Sequence, residues 1–309
     1  MDLAAIVTGQ VVIMFLLISL GFFLYKKKMI DDHTTAQLTD FLIMVITPAL
    51  IINAYLMPFD KNMAKGLAIS LGLAVASHLV PILLTKAIYW KDSSARARVE
   101  RFAVIYSNGG FMAIPLIAAV LPENGVFYAS AYIAVFNIIE WTQGKAMIQG
   151  KGQKLSLKEA LVNPGTVGTL IGLIVFLFSV PVPSVVQTAI GYVSGLNTPL
   201  AMLIIGVYIA KTDIKAALIN WRVYFICLLK LIVVPLIIIV LHKFLHTPEE
   251  IMMANTLATA CPVATACSMF VEKFGGDGVY GASLVAVSTV LSILTIPLMA
   301  MLLGLIPAF

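Results

Sequence analysis

The chain is divided almost throughout into apolar segments of about 20 residues, separated by short polar connections. A helix needs roughly 20 apolar residues to cross the hydrocarbon core of a bilayer, and in lipid its backbone polar groups must be satisfied within the segment. The pattern therefore predicts an all-α membrane protein with ten transmembrane helices. Their approximate bounds are 4–25, 35–57, 64–89, 99–121, 124–147, 160–180, 185–210, 221–244, 249–272 and 278–304.

The composition excludes a water-soluble fold. Hydrophobic residues make up 61% of the chain and charged residues 11%, whereas soluble domains carry roughly 25% charged residues. The formal net charge of +5 is spread over short basic clusters between apolar segments, so we expect membrane lipid and not nucleic acid as its surroundings.

The basic residues predict the orientation, because cytoplasmic connections of membrane proteins are enriched in Lys and Arg. One set of alternate connections contains 16 of the 20 basic residues: Lys26, Lys27, Lys28, Lys86, Lys91, Arg96, Arg98, Arg101, Lys145, Lys151, Lys154, Lys158, Lys211, Lys215, Arg222 and Lys273. The opposite set contains Lys61, Lys65 and Lys243. We therefore expect an inner-membrane protein with a cytoplasmic 148–158 connection and both termini outside the cytoplasm.

Several short motifs recur at an offset of about 150 residues. GVFYAS at Gly125–Ser130 returns as GVYGAS at Gly278–Ser283, and other pairs follow in the same order: Thr47-Pro48 with Thr198-Pro199, Pro81 with Pro235, and Pro115 with Pro262. Any single pair is explained by chance, but the ordered series favours duplication. Five spans per half would invert the second copy, as in many secondary transporters. The predicted repeats are 1–150 and 151–309.

Spans four and nine contain residues that interrupt a helix. Span four carries Asn108, Gly109 and Gly110 ahead of Pro115, and span nine carries Cys261-Pro262 near its middle. Glycine permits non-helical backbone, and proline removes an amide donor. Either proline alone is explained by a kink, but matched interruptions predict helices that cross at the midplane and offer unpaired amides to an anion.

Ionisable and amide side chains inside the spans are further candidates, because each needs a partner or water in the membrane. Lys230 is interpreted as a counter-charge to a substrate or a protein acid, or as a lysine that extends to the interface. Glu140 is a proton-coupling group or an interfacial anchor beside Trp141, and His78 a titrating or a packing histidine. Asn53 and Asn137 are predicted to line the substrate path or to join helices.

The segment from Ser107 to Leu116, read with Val135–Thr142, Asn163-Pro164 and Thr198–Gly206, resembles the auxin efflux carrier family of bacteria and plants. That family includes malate and malonate permease-like proteins, and the short 148–158 connection is similar to its bacterial members. The resemblance implies ten spans, a crossover of spans four and nine at their prolines, and a substrate carboxylate held nearby. By the same resemblance, we expect Asn108, Pro115 and Pro262 to lie at the crossover.

The leading hypothesis is a carrier of a small organic anion, a mono- or dicarboxylate such as malate or an auxin-like acid, that works by alternating access. Asn108 and the backbone around Gly109, Gly110, Cys261 and Pro262 would hold the anion, with H+ or Na+ as the coupling ion. We expect no enzymatic activity, no metal site and no other cofactor, and we count a homodimer among the partners to be tested. The alternatives are a sodium-coupled bile-acid-type symporter and a membrane receptor that binds its ligand without transport.

Overall fold

The computed structural model describes residues 3–150, 158, 161–274 and 277–305. The regular secondary structure of these residues is helical. They also contain one isolated antiparallel β-bridge. Lys151, Lys154 and the predicted repeat boundary at 150 and 151 fall wholly or partly outside the described residues. The prediction of an all-α membrane protein is confirmed.

The helices follow the predicted segments to within a few residues. They are α1 (Leu3–Lys26), α2 (Asp32–Ala54), α3 (Lys61–Ile88), α4 (Ala95–Ile105), α5 (Gly109–Val120), α6 (Gly125–Ile139, continued by Glu140–Gly144 and Lys145–Gln149), α7 (Pro164–Leu177), α8 (Ser184–Lys211), α9 (Ile214–Ile219), α10 (Trp221–Phe244), α11 (Glu249–Ala260), α12 (Ala266–Phe274) and α13 (Gly278–Gly304).

Six of the described helices, α1, α2, α3, α8, α10 and α13, are long and apolar enough to cross a membrane. The shorter helices α5 and α7 are also apolar. Large apolar side chains on the outside of the molecule, such as Leu16, Phe23 and Phe178, remain exposed. In a bilayer such residues face acyl chains, so their exposure needs no further protein partner.

Short polar side chains fix several helix starts. Asp31 accepts from the Thr34 amide at 2.7 Å before α2, and Asp60 accepts from the Met63 amide at 2.8 Å before α3. Side chains at this position satisfy amides that have no partner inside the helix. The ends of the apolar segments are thus set by local sequence.

Three helices widen into a π-helical turn just before a proline. Leu42–Ile46 precedes Pro48, Gly109–Ala113 precedes Pro115 and Leu229–Val233 precedes Pro235. Proline lacks an amide donor and its ring crowds the carbonyl four residues earlier, so a wider turn relieves both problems. Pro115 therefore lies inside a continuous helix, and the non-helical residues of span four lie before it.

Small residues let two helix pairs approach closely. A Cβ built on Gly21 of α1 would lie 2.2 Å from the Leu203 carbonyl oxygen of α8, and one on Gly206 would lie 2.1 Å from that of Ile18. On α7, a Cβ on Gly168 would lie 2.9 Å from Pro48 of α2. Close backbone packing of this kind stabilises helix pairs in lipid, where burial of apolar side chains contributes little.

The interrupted segments lie inside the molecule. Most residues of α4, α5, α6 and α11 are buried. Irregular backbone at membrane depth is tolerated only where protein or water satisfies it. The fold therefore places its two irregular stretches where neighbouring helices enclose them.

Candidate functional site

The two helix interruptions lie side by side, and the backbone groups of each form hydrogen bonds with the backbone of the other. Ser107, between α4 and α5, forms an antiparallel bridge with Val263, between α11 and α12. The Asn108 amide donates to the Pro262 carbonyl at 2.8 Å, and the Ala264 amide donates to the Tyr106 carbonyl at 3.0 Å. These bonds hold the two chain breaks together without a continuous helix in either.

Neighbouring hydroxyl groups support the crossing. The Ser107 hydroxyl donates to the Thr259 carbonyl at 3.1 Å, on the last turn of α11. The Val263 amide donates to the Ser288 hydroxyl of α13 at 3.1 Å. Polar groups at this depth are costly unless paired, so the hydroxyls stabilise the non-helical stretches.

A tight turn at Asn108 starts α5. Its backbone angles are φ −72° and ψ 65°, and the Gly109 amide donates to the Ser107 carbonyl at 2.7 Å, which is the geometry of an inverse γ-turn. The Asn108 carbonyl then accepts from the Met112 and Ala113 amides, both at 3.1 Å. The first-turn amides of Gly110 and Phe111 have no partner within α5.

A cavity of about 140 Å³ lies beside the crossing. A cavity of about 150 Å³ is known to hold a benzene molecule, so this one has room for a small organic molecule. Its wall consists of Ile43, Thr47, Asn108, Gly109, Gly110, Phe111, Ile133, Phe136, Asn137, Glu140, Trp141, Asn163, Gly165, Ala264, Thr265, Ala266, Met269 and Phe270.

Two helix N-termini border this cavity. Gly109, Gly110 and Phe111 begin α5, while Ala264, Thr265 and Ala266 lead into α12. Helix N-termini combine free amide donors with the positive end of the helix dipole, an arrangement that favours a negative group. A Cβ built on Gly110 meets nothing within 4 Å, so that backbone is open to a ligand.

Two polar atoms of the cavity wall are buried without a hydrogen-bond partner among the described residues. They are the side-chain nitrogen of Asn108, which is a donor, and Oε1 of Glu140, which is an acceptor when ionised. Among the described lining residues there is no Lys or Arg, and Glu140 is the one residue with a carboxyl group. The rest of this described wall offers neutral groups and helix dipoles.

Aromatic side chains supply much of the remaining wall. Phe111 belongs to α5, Phe136 and Trp141 to α6, and Phe270 to α12. The Trp141 and Phe270 rings pack edge to face with centroids 5.3 Å apart. A mainly apolar wall with a few polar groups is typical of small-molecule sites.

Lys230 lies next to the crossing but does not line the cavity. Its side chain is 0% exposed, and Nζ donates to the Ser107 hydroxyl at 2.5 Å. The Tyr132 hydroxyl donates to the same oxygen at 3.3 Å. Among the described residues Lys230 forms no ion pair. A side chain held in this way does not extend to the membrane interface.

The structure thus divides the predicted site residues into two groups. The cavity brings together Asn108, Gly109, Gly110, Asn137 and Glu140. The following residues lie outside its wall: Asn53, His78, Pro115, Lys230, Cys261 and Pro262. His78 is buried, with Nδ1 at 2.8 Å from the Ala74 carbonyl and its ring against Tyr132.

Sequence reasoning missed Thr265, Phe136 and Phe270 as wall residues. The spacing of residues on α6 is one sequence signal that could have identified wall residues. Residues three and four positions apart share one face of a helix, and the wall residues of α6 follow that pattern: Ile133, Phe136, Asn137, Glu140 and Trp141. In the sequence Ser107 is only the first residue of the Ser107–Leu116 motif, whereas its contact with Lys230 depends on the tertiary fold.

Within the described residues no group of three or more His, Cys, Asp or Glu could hold a metal ion.

Comparison with known proteins identifies the family of the chain. A family model described as membrane transport protein matches residues 6–300, which is nearly the whole chain. A search of curated proteins finds no match. With the resemblance carried by Ser107–Leu116, the match shows that the chain belongs to the membrane transport protein family of the auxin efflux carriers.

Proposed function

We propose that this protein carries a small organic anion, a mono- or dicarboxylate such as malate, across the inner membrane by alternating access. The observation that supports the proposal is the cavity at the crossing, which is bordered by the first turns of α5 and α12 and by the unpaired side-chain nitrogen of Asn108. Two helix dipoles and an amide donor would hold a carboxylate without a fixed positive charge in the wall.

The membrane arrangement follows from treating each interrupted pair as one span. In this proposal α4 with α5 and α11 with α12 each cross once, which gives ten spans in two inverted repeats of five. The pseudo-twofold axis would pass near the bridge between Ser107 and Val263. Transport would then require one helix bundle to move against the other around the crossing.

Uptake of labelled malate by proteoliposomes tests the proposal, with Asn108→Ala as the diagnostic variant. Because the side-chain nitrogen of Asn108 has no hydrogen-bond partner among the described residues, its removal should leave folding intact and weaken a contact made only to the ligand. We expect at least a tenfold loss of uptake, corresponding to about 1.4 kcal/mol. Elution volume and thermal unfolding should stay unchanged.

Asn197→Ala is the matched control. Asn197 is another buried asparagine with unpaired side-chain atoms among the described residues, but it is not part of the cavity wall. Its replacement should leave uptake unchanged. Equal uptake by the Asn108→Ala variant and the wild type would remove Asn108 from the site.

Two alternatives are separated by the same preparation. A sodium-coupled symporter of the bile-acid type requires a sodium gradient for uptake, so uptake without sodium excludes it. A receptor binds the anion without flux into the vesicles. Neither alternative has an observation of its own in the structure.

A further inference from the structure

Glu140 occupies an unusual position in the cavity wall. It begins the π-helical turn Glu140–Gly144 of α6, its side chain is 4% exposed, and Oε1 has no hydrogen-bond partner among the described residues. Glu140 also shares the wall with Asn108 and the first turn of α5. An anion bound at that helix end therefore lies in the same small space as a carboxyl group.

The shared wall places the two groups close together. The Asn108 side chain and the first turn of α5 line the same cavity as Glu140, so a ligand held by them is a near neighbour of the Glu140 carboxyl. Two negative charges at a separation on the order of 6 Å, with an effective dielectric constant of about 20, repel enough to weaken binding by about 100-fold.

Among the described wall residues there is no cation that would offset that repulsion. Two described titratable groups that interact with the Glu140 charge are Tyr106, which follows α4, and Cys267 of α12, and neither is a cation. From α2 and α7 the wall contains Ile43, Thr47, Asn163 and Gly165, which are uncharged. Lys145, one turn further along α6, and Lys230, bonded to Ser107, are not among the wall residues.

We propose that Glu140 is the proton site of this cavity, so that an organic anion binds together with one proton carried on the Glu140 carboxyl. The inference rests on the proposed function and names its coupling ion. With the proton in place, the carboxyl is neutral and offers the anion a hydrogen-bond donor. When the proton leaves to water, the ionised carboxylate repels the anion, which would link release to deprotonation.

Calorimetric titration of the purified protein with malonate and with malate tests the linkage. Both probes are almost entirely dianions between about pH 6.5 and about pH 8.5, because a free carboxyl titrates near pH 4 and the neighbouring carboxylate raises the second titration by about one to two units. We expect wild-type affinity to fall with rising pH, by up to about 100-fold. Glu140→Gln keeps the shape of the protonated side chain, so its affinity should stay high and independent of pH in this range.

The exposed Glu123 provides a matched control, since Glu123→Gln removes a carboxylate that is not in the wall and should retain the wild-type pH dependence. Persistent pH dependence in Glu140→Gln would overturn the proposal. Loss of binding throughout this pH range in that variant would also overturn it, because a neutral side chain of the same shape would then fail to replace the protonated carboxyl.

Infrared difference spectroscopy gives a readout that needs no ligand. A carboxyl group buried without a partner disfavours its charged form, so the empty protein at about pH 6 should show a protonated carboxylic-acid band that Glu140→Gln removes and Glu123→Gln retains. Absence of that band would refute the proton site whatever the substrate is. If neither probe binds any variant, malate transport fails as the function, and the band alone decides the role of Glu140.

Discussion

Glu100 and Glu140 are two buried glutamates with opposite surroundings. The Glu100 carboxylate, on a residue that is 1% exposed, accepts hydrogen bonds from the Tyr89 and Tyr280 hydroxyls at 2.8 Å each and from the guanidinium groups of Arg96 at 3.3 Å and Arg222 at 3.4 Å. Glu140, also buried, has no such donor among the described residues. The difference separates a carboxylate that joins helices from one that faces a ligand cavity.

The Glu100 cluster acts as a structural junction. Its donors come from the end of α3, from α4 itself, from the start of α10 and from α13, so a single carboxylate ties four parts of the chain together. A buried charge with several hydrogen bonds is strongly destabilising to disrupt, because the remaining partners stay buried and unpaired. An uncompensated carboxyl such as Glu140 gives the fold no comparable benefit, which favours a functional role.

The largest expected effect is that of Glu100→Ala on stability. Removal of the carboxylate leaves two tyrosine hydroxyls and two guanidinium groups without their acceptor, and we expect a loss of about 3–5 kcal/mol in the free energy of unfolding. Thermal unfolding in detergent measures it, with Glu123→Ala as the exposed control. A loss no greater than that of the control would show that the cluster does not hold the helices together.

A single donor to Glu100 should have a smaller effect. Tyr280→Phe removes one hydrogen bond to a charged group and keeps the ring, so we expect a loss of about 1.5–3 kcal/mol. Tyr224→Phe is the control, since that hydroxyl bonds to the Leu218 carbonyl at an exposed position. Equal unfolding temperatures for the two variants would mean that the Arg96 and Arg222 contacts suffice for Glu100.

The smallest expected effect on stability is that of Glu140→Gln. Since the Oε1 atom of Glu140 has no partner among the described residues, the substitution breaks no hydrogen bond there, and we expect the free energy of unfolding to change by less than about 1 kcal/mol, or to rise. A loss as large as that of Glu100→Ala would reveal a structural partner for Glu140 and would erase the contrast between the two glutamates.

The same two glutamates show how far sequence reasoning reaches. Helix bounds such as Lys61–Ile88 and Trp221–Phe244 were predicted closely, because segment length, caps and prolines act locally. Asn108-Gly109-Gly110 and Cys261-Pro262 marked the two interruptions for the same reason. The sequence predicts no role for Glu100 and leaves two roles open for Glu140, because neither position reveals which side chains surround it.

The local sequence is therefore enough to identify a membrane protein, to locate its apolar segments and to mark the residues where the backbone cannot remain helical. Three contacts follow from the folded arrangement alone: Ser107 pairs with Val263, Lys230 bonds to Ser107 outside the cavity, and Glu140 shares a wall with Asn108. The two cases differ in the sequence separation of the interacting residues. Helix formation in lipid depends on neighbours within a few residues, whereas the partners of a buried polar group come from segments far apart in the chain.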